Sequence, residues 1–499
     1  MNQLMVLLMS VFMSFNFSSN VKLNTGPGDA TVIGPTFSSG RRSIFALGDT
    51  VYVVWKEDIS GTDEDIYFAK STDRGETFLA PIRVDDAGAA DTSDQQYPGI
   101  YVDNTGVIYI AWRDYREGYT EIRSSKSTDS GNSFLPSVVV NDSLPISNKN
   151  CPSVWVLGDS VYVVWHDNRN GDFDIYFSKS EDGGTSFLTD VRVDDDMSGS
   201  MQREAVISVA TNCEIYVMWA DLRNRGTGYD VLFSKSTDGG LTFLPDKLVN
   251  DEGAGSTWQL QPAMTIDSEG NIYACWTDAR QTWPWHIFFC KSTDGGETFL
   301  SDVKVSHLSD GGAEKPSIAI KDSLNIFIVW QDDRAGQWNI YFAYSETGGS
   351  IFFGDTQVDD GMATSLLSPN IAFSSDRVYV IWSDNREHSG NMIYDVYFSY
   401  GSSVGVKEGK NFSYRKEICL YLINSISSGI LLLNIPESLI RKRINLRIYD
   451  LAGKPVFTHN FLNPSTSPII PIYHLPSGQY FLAIETNQGK YIGKFVLIR

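Results

Sequence analysis

Cysteine is scarce: five in 499 residues, at Cys151, Cys213, Cys275, Cys290 and Cys419. The number is odd and the spacing fits no metal cluster, so neither a disulfide framework nor a zinc site organises the chain. Cys275 and Cys290 fall on neighbouring strands of one repeat and could pair; the alternative is two buried thiols acting as small apolar groups. Positive charge is also in short supply. Lys and Arg total 40 against 61 Asp and Glu, a net charge of −21, which argues against a nucleic-acid partner because phosphate binding needs a basic face. No apolar run is long enough to span a bilayer. Leu4–Phe15 reads instead as the hydrophobic region of a secretory signal over residues 1–20, although no Lys or Arg precedes it. The alternative is a buried first strand. Helical periodicity is missing throughout.

What is present is strand composition. Hydrophobic residues make up 42% and aromatics 13%, enough for a large core. A strand ending in Trp recurs seven times, at Trp55, Trp112, Trp165, Trp219, Trp276, Trp330 and Trp382, at intervals of 57, 53, 54, 57, 54 and 52. After each come a short polar loop and a second strand of the DIYFSKS kind. Then come a turn, a strand of the VRVDD kind, and a strand of the PSIAI kind that leads to the next Trp. Four short strands per repeat, with hairpin connections, are the mark of a propeller blade.

The turn reads STDRGETF at Ser71, STDSGNSF at Ser127, SEDGGTSF at Ser180, STDGGLTF at Ser236 and STDGGETF at Ser292, with a variant, SETGGSIF, at Ser345. It resembles the Asp box of the sialidase/BNR-repeat propellers. Its chemistry is local: Asp73, Asp129, Asp182, Asp238 and Asp294 can accept the turn's own N–H groups, Gly can take a positive φ, and Phe plugs into the blade core. These aspartates are read as structural. In the resembled fold the box joins strands three and four, so the lone VKLNTG at Val21 is a leftover fourth strand, while the last unit stops after three. Val21–Asn24 should therefore close the seventh blade against Asp395–Ser399 and hide an open edge. The expected fold is an all-β, seven-bladed propeller over residues 21–402. Sialidase propellers commonly have six blades.

A polar linker (403–417) follows, then a unit over 418–499. From Lys407 on, 12 Lys/Arg stand against 5 Asp/Glu, a net +7 that leaves −28 for the rest, so the two units differ in kind. Tyr449-Asp450-Leu451 with Gly453-Lys454, then Leu475-Pro476-Ser477-Gly478 with Tyr480-Phe481, then Lys494-Phe495-Val496 resemble the type A sorting domain of the type IX secretion system. The resemblance implies a small antiparallel β-sandwich read by an outer-membrane translocon. The implied location is outside a Gram-negative-type bacterium, secreted or attached to its surface, with no transmembrane segment in the mature protein. An accessory sandwich is the bland alternative.

Loops joining strands two to three, and strand four to the next strand one, share one face with the channel mouth. That face carries a repeated W-x-D-x-R: Asp114/Arg116, Asp167/Arg169, Asp221/Arg223, Asp278/Arg280, Asp332/Arg334 and Asp384/Arg386. Six copies cannot be one active site. Each Asp is expected to shape its turn, and each Arg to pair with acids such as Asp174 or Asp395. Acidic pairs such as Asp85/Asp86 and Asp359/Asp360 would suit calcium or, equally, Asx turns; no metal or other cofactor is assigned.

Residues that break the repeat are more informative. Strand one usually starts at a Pro, but Arg41 and Arg42 align with Cys151 and Pro152, and blade four has Arg203 and Glu204 there. Lys315 lies at the same level. Trp258, Trp283, Trp285 and His286 crowd the loops of blade five, and exposed rings beside polar groups suit sugar stacking or peptide gripping. Packing between blades is the alternative. The favoured expectation is a propeller that binds glycans or extracellular proteins at its channel mouth, using Arg41, Arg42, Arg203, Lys315, Trp258, Trp283, Trp285 and His286. The second is a sialidase-like glycoside hydrolase. There the family resemblance implies Tyr97 as nucleophile, Glu204 as its support, Asp94 as acid/base and Arg41, Arg42 and Arg203 as carboxylate clamps. Against it, the family's F-R-I-P signature is absent, since Arg42-Ser43-Ile44 lacks the Pro. The third is a structural surface-layer component.

Overall fold

Each Trp strand alternates β-branched and aromatic residues with no Gly or Pro, a composition suited to a strand covered on both faces. The computed structural model places all seven there: each Trp is 0% exposed. The structure describes residues 14–404, apart from 27, 33–41, 60–62, 89–90, 143–146, 224–227, 253–256, 281–283, 308–310, 364 and 389–392. Beyond 404 it describes the segments 421–425, 430–434, 444–449, 454–461, 469–471, 478–486 and 489–497. Arg41, Trp283, most of the signal segment and of the linker, and Leu475-Pro476-Ser477 lie outside the described residues.

Residues 15–402 form one compact unit of seven antiparallel sheets, and among the described residues there is no helix. Blade four shows the plan: Gln202–Val209, Ile215–Asp221, Asp230–Ser236 and Lys247–Leu248, paired in that order from the channel outward. Apolar clusters lie between successive blades rather than within them. One joins Ile207 and Trp219 of blade four to Phe177 of blade three, and another joins Met218 and Phe233 of blade four to Trp276 of blade five.

The S-x-D-x-G turn staples these interfaces. In the first copy Asp73 accepts from the Thr77 amide (2.9 Å), the Thr77 hydroxyl (2.6 Å) and the Ser71 hydroxyl (2.7 Å). The Thr77 contacts hold its carboxyl down at about 2. Ser71 Oγ accepts the Gly75 amide at 2.8 Å, and Gly75 has φ +84°. In the variant turn the Thr347 hydroxyl replaces the carboxylate and accepts the Ile351 amide at 3.0 Å. The sequence reading seated the turn's Phe in its own blade. It packs instead on the Phe of the preceding blade: Phe78 on Phe398, Phe134 on Phe68, Phe243 on Phe177, Phe299 on Phe233 and Phe352 on Phe289, at 4.8–5.4 Å between centroids. The physical reason is that both faces of a blade are interfaces, so a large ring finds its cover next door.

Ring closure uses the N-terminal segment. Val21 pairs with Phe398 and Lys22 with Tyr397. In six blades a residue just past the outer strand accepts the second amide of strand three; Asp194 to Ile175 (2.8 Å) and Asn250 to Val231 (2.9 Å) are examples. In the seventh blade Asn24 takes that place, accepting the Val396 amide at 2.9 Å and donating to Asp395 at 2.9 Å. Upstream, Ser14–Phe17 also lies beside Asp395–Val404, with Phe15 packed on Phe342 of blade six.

Cys275 and Cys290 do not pair. Cys290 is opposite Ala274 and Cys275 opposite Phe289, one residue out of register, so the two thiols face opposite sides of the sheet. Burial pushes both thiols up.

The C-terminal unit has a three-stranded sheet (Tyr421–Ser425, Ile430–Asn434, Ile469–Pro471) and a four-stranded one (Pro455–Phe461, Ile444–Tyr449, Gly478–Thr486, Gly489–Leu497), all antiparallel. Register brings scattered motif residues together: Tyr449 opposes Phe481, and Phe481 opposes Lys494.

Three substitutions test this account by thermal melting. At Gly296 a Cβ would meet the Phe233 ring at 2.3 Å with φ +79°, whereas at Gly336 (φ +82°) it meets nothing within 4 Å. Gly296→Ala should therefore cost about 2–4 kcal/mol and Gly336→Ala only about 1 kcal/mol. Asn24→Ala leaves the buried Val396 amide without its acceptor and should cost about 1–3 kcal/mol.

Candidate functional site

The channel-mouth face is built from the first residues of the inner strands and the ends of the Trp strands. Much of its polarity is consumed by the fold. Asp114 accepts the Trp112 indole at 2.8 Å and holds Arg116 through Nε (2.9 Å) and Nη2 (2.7 Å). Four of the other W-x-D-x-R copies repeat this, and in the fifth Arg280 meets Asp278 through Nη2 (2.7 Å) without the Nε contact. Blade one keeps the acceptor with a longer acid, Trp55 donating to Glu57 at 2.9 Å.

In blades three to five the arginine then bridges an acid just past the outer strand of the preceding blade and an acid just before the outer strand of its own. Arg223 binds Asp195 and Asp246 (both 2.5 Å), and Arg280 binds Asp251 (3.1 Å) and Asp302 (2.5 Å). The expected partners Asp174 and Asp395 are taken elsewhere, by Arg192 at 2.8 Å and by Lys22 at 2.9 Å. They start strand three, beside the outer strand of their own blade, not the loop the arginine faces. The acidic pairs are thereby accounted for: the first member accepts a strand amide and the second meets the arginine. Among the described residues no cluster of three acidic, His or Cys ligands could hold a metal ion.

Three of these junctions are reciprocal aspartate latches. The Asp195 amide donates to Asp246 (3.0 Å) and the Asp246 amide to Asp195 (3.2 Å); Asp142/Asp190 and Asp251/Asp302 do the same. Burial first, and then the facing carboxylate, hold Asp190, Asp246 and Asp302 well above the usual carboxylate range, against the opposing pull of the arginines.

The inner strands of blades two to seven each carry a bulge with a non-glycine residue at φ 55–62°: Tyr97, Cys151, Glu204, Gln261, Lys315 and Ser368. Such conformations cost energy and recur where side chains must be aimed. Three of them are linked around the channel. Glu204 accepts the Gln261 amide at 2.8 Å, and Gln261 Oε1 accepts the Lys315 amide at 2.9 Å. Lys315 is 8% exposed and its pKa is lowered by burial.

Beside this arc, Arg203 lies 4.4 Å from the centroid of the Tyr229 ring, which meets Trp258 edge-on at 5.9 Å. Trp258 is 44% exposed. Arg203, Glu204, Lys315 and Trp258 are thus gathered over blades four to six. Trp285 is half-buried, and its carbonyl accepts the Ala313 amide at 3.0 Å. His286 is 5% exposed and held down at about 4, first by burial and then by Lys304, so it is a neutral ring inside the sheet.

Tyr97 and Asp94 lie on the opposite side, in blade two. The Arg113 guanidinium is 6.0 Å from the centroid of the Tyr97 ring and donates to Gln96 at 3.0 Å. Asp94 lines a cleft of about 570 Å³ together with Arg113, Tyr115, Tyr119, Asn148 and Asn168. Burial and then the Glu64 charge raise its pKa. Arg42 stands apart, reaching into the channel. The sequence reading missed Arg113, Tyr115, Tyr119 and Tyr229. Arg113 and Tyr115 fall at variable positions of the W-x-D-x-R loop, and Tyr229 at a position that is aromatic in five blades, so the repeat held no signal for these three.

Residues 427–498 match the secretion system C-terminal sorting domain family. The sorting domain places the protein outside the cell, secreted or held at the outer surface of a Gram-negative-type bacterium. No curated protein matches the chain. Among solved structures, a polysaccharide lyase described as an ulvan lyase superposes with a TM-score of 0.52 at 14% identity, covering 74% of this chain and 94% of its own. Its complex with GlcA(1-4)Rha3S gives 0.51 with the same identity and coverage. A Hadza microbial sialidase covers 70% of this chain and 73% of its own at 13% identity, with a TM-score of 0.44. At such identities the likeness to the lyase is one of fold.

The latches make stability depend on pH. An acid whose folded pKa is raised holds a proton that the unfolded chain releases, so its contribution is present at low pH and lost as pH rises through the folded value. The melting temperature should therefore fall from about pH 6 to about pH 8. Asp246→Asn, which cannot ionise, should flatten part of that slope. A melting temperature independent of pH over this range would contradict the latch account.

Proposed function

We propose that this protein is an extracellular glycan-binding propeller, exported through its C-terminal sorting domain, whose ligand seats on the channel-mouth face. One observation carries the reading. On a surface whose repeated polar groups are absorbed by the fold, blades four and five present an exposed indole, Trp258, edge-on to the Tyr229 ring that lies under the Arg203 guanidinium. Flat rings beside donors suit the apolar face and hydroxyls of a sugar. The lyase with the same fold acts on a polysaccharide, which agrees with this choice of ligand. An extracellular protein is the other partner this face suits.

A second reading, a glycoside hydrolase of sialidase type, is favoured by Asp94, whose raised pKa in a cleft suits a general acid. In that reading Tyr97 is the nucleophile and Glu204 supports it. The structure engages Glu204 with the Gln261 amide, a contact that leaves one carboxylate oxygen committed to the fold.

Two experiments separate the readings. On a glycan array the protein should bind a defined set of glycans, and Trp258→Ala should weaken binding about tenfold or more, with Trp285→Ala closer to neutral. No binding to any glycan would overturn the proposal. Incubation with a fluorogenic sialoside should give no turnover; turnover that disappears in Tyr97→Phe would establish the hydrolase instead.

A further inference from the structure

Blade seven does not carry the turn that follows strand three in the other six. Its third strand, Asp395–Val404, runs for ten residues, where the third strands of the other blades run for seven. The second half of that turn is nevertheless present, supplied from the N-terminus. In the other six blades the turn phenylalanine stands four residues before the outer-strand residue that pairs with the fourth position of strand three. Phe187 precedes Val191, which pairs with Phe177, and Phe243 precedes Lys247, which pairs with Phe233. Phe17 stands at the same spacing before Val21, which pairs with Phe398.

The contacts repeat as well. Phe17 meets Phe342 of blade six edge-on at 5.3 Å, as the turn rings Phe134 and Phe299 meet their preceding blades. The Ser18 amide donates to the Tyr400 carbonyl at 2.8 Å, as the Leu188 amide does to the Lys179 carbonyl at 2.8 Å. The Ser399 hydroxyl donates to the Ser18 carbonyl at 2.9 Å, as the Ser178 hydroxyl does to the Leu188 carbonyl at 2.6 Å. Just upstream, Phe15 is 7% exposed and lies among Phe327, Phe342 and Tyr344, at 5.0–5.7 Å between centroids. The compact propeller unit also begins at Phe15.

Residues 15–20 therefore belong to blade seven, although the sequence reading gave them to the signal. A cut after residue 20 would strip two rings from the face of blade six and leave the Tyr400 carbonyl without its amide. The leader must end sooner. A secretory leader needs an apolar run of about 7–15 residues and a small residue beside the cut. Leu4–Met13 is a run of ten, followed by Ser14; a cut after Ser10, the other small residue of this stretch, would leave a run of six. We infer that signal peptidase hydrolyses the Ser14–Phe15 peptide bond. Water adds across it, so that Ser14 leaves as the carboxylate end of the leader and Phe15 becomes the amino-terminal residue of the mature chain. The mature protein then keeps Phe15–Asn20 as the second half of a seventh turn. This inference goes beyond the glycan reading and does not depend on it.

The test is the N-terminus of the protein collected outside the cell, read by Edman degradation and by the mass of the tryptic peptide that ends at Lys22. The expected first residue is Phe15. A first residue upstream of it, Met1 included, would overturn the bond assigned. A first residue downstream would overturn both that bond and the place of this segment in the blade. Thermal melting of variants of the same full chain gives a second readout. Phe17→Ala should melt several degrees lower than the parent, as Phe243→Ala should, with Phe17→Leu between. Asn16→Ala, at an exposed position, should stay within about 1 °C of the parent. Equal melting of Phe17→Ala and the parent would overturn the seventh turn.

Discussion

A propeller blade has no inside of its own. Its four strands bury their side chains only when another blade lies on each face, so every structural device in this chain works across an interface. The turn phenylalanine sits on the ring of the preceding blade. Lys126 and Lys235 reach the turn carbonyls of the blade that follows, at 2.6 and 2.9 Å. The W-x-D-x-R arginine closes the same junction at the other end. A ring of such units is stable only if no junction is left open, and the N-terminal strand supplies the last one. Asn24 bonds to a strand 372 residues away in the sequence. That closure is the contact on which all the others depend.

The same economy explains why most of the charged surface carries no chemistry. An aspartate that accepts an indole, an amide and a guanidinium has no lone pair to spare for a substrate. The functional face is legible only by subtraction. Once the repeated aspartates, arginines and loop acids are assigned to the ring, what remains is a short set of side chains. Trp258, Tyr229 and Arg203 lie on one side of the mouth, Asp94 and Arg113 on another, and Arg42 lies in the channel between them. The six left-handed residues at the bulges fit this division of labour, because a strained backbone sets side chains at the mouth at a fixed height.

Much of the fold was readable because repetition is a strong signal. Seven tryptophans at nearly even spacing and a leftover strand at Val21 are enough to count blades and to phase them. The cysteine pair could not be judged that way. Residues 275 and 290 are near in any hairpin, and only the register shows that their thiols face opposite sides. The partners of the W-x-D-x-R arginines were misjudged for a similar reason. An acid at the next strand start is close along the chain, while Asp195 meets Arg223 only after two blades dock, and Asp246 only after the outer strand has paired.

By itself, then, the sequence determined the strand content, the number of blades, the way the ring shuts and the separate character of the last 80 or so residues. These follow from periodicity and composition, which act locally and survive without coordinates. Tertiary structure alone decided which polar groups are spent and which remain. It committed His286 to the sheet interior, joined Glu204 to Gln261 and Lys315, and laid Arg42 on Trp155 across the channel. Those outcomes depend on which blades face each other around a closed ring. Contacts between residues hundreds of positions apart leave no periodic trace in a single chain.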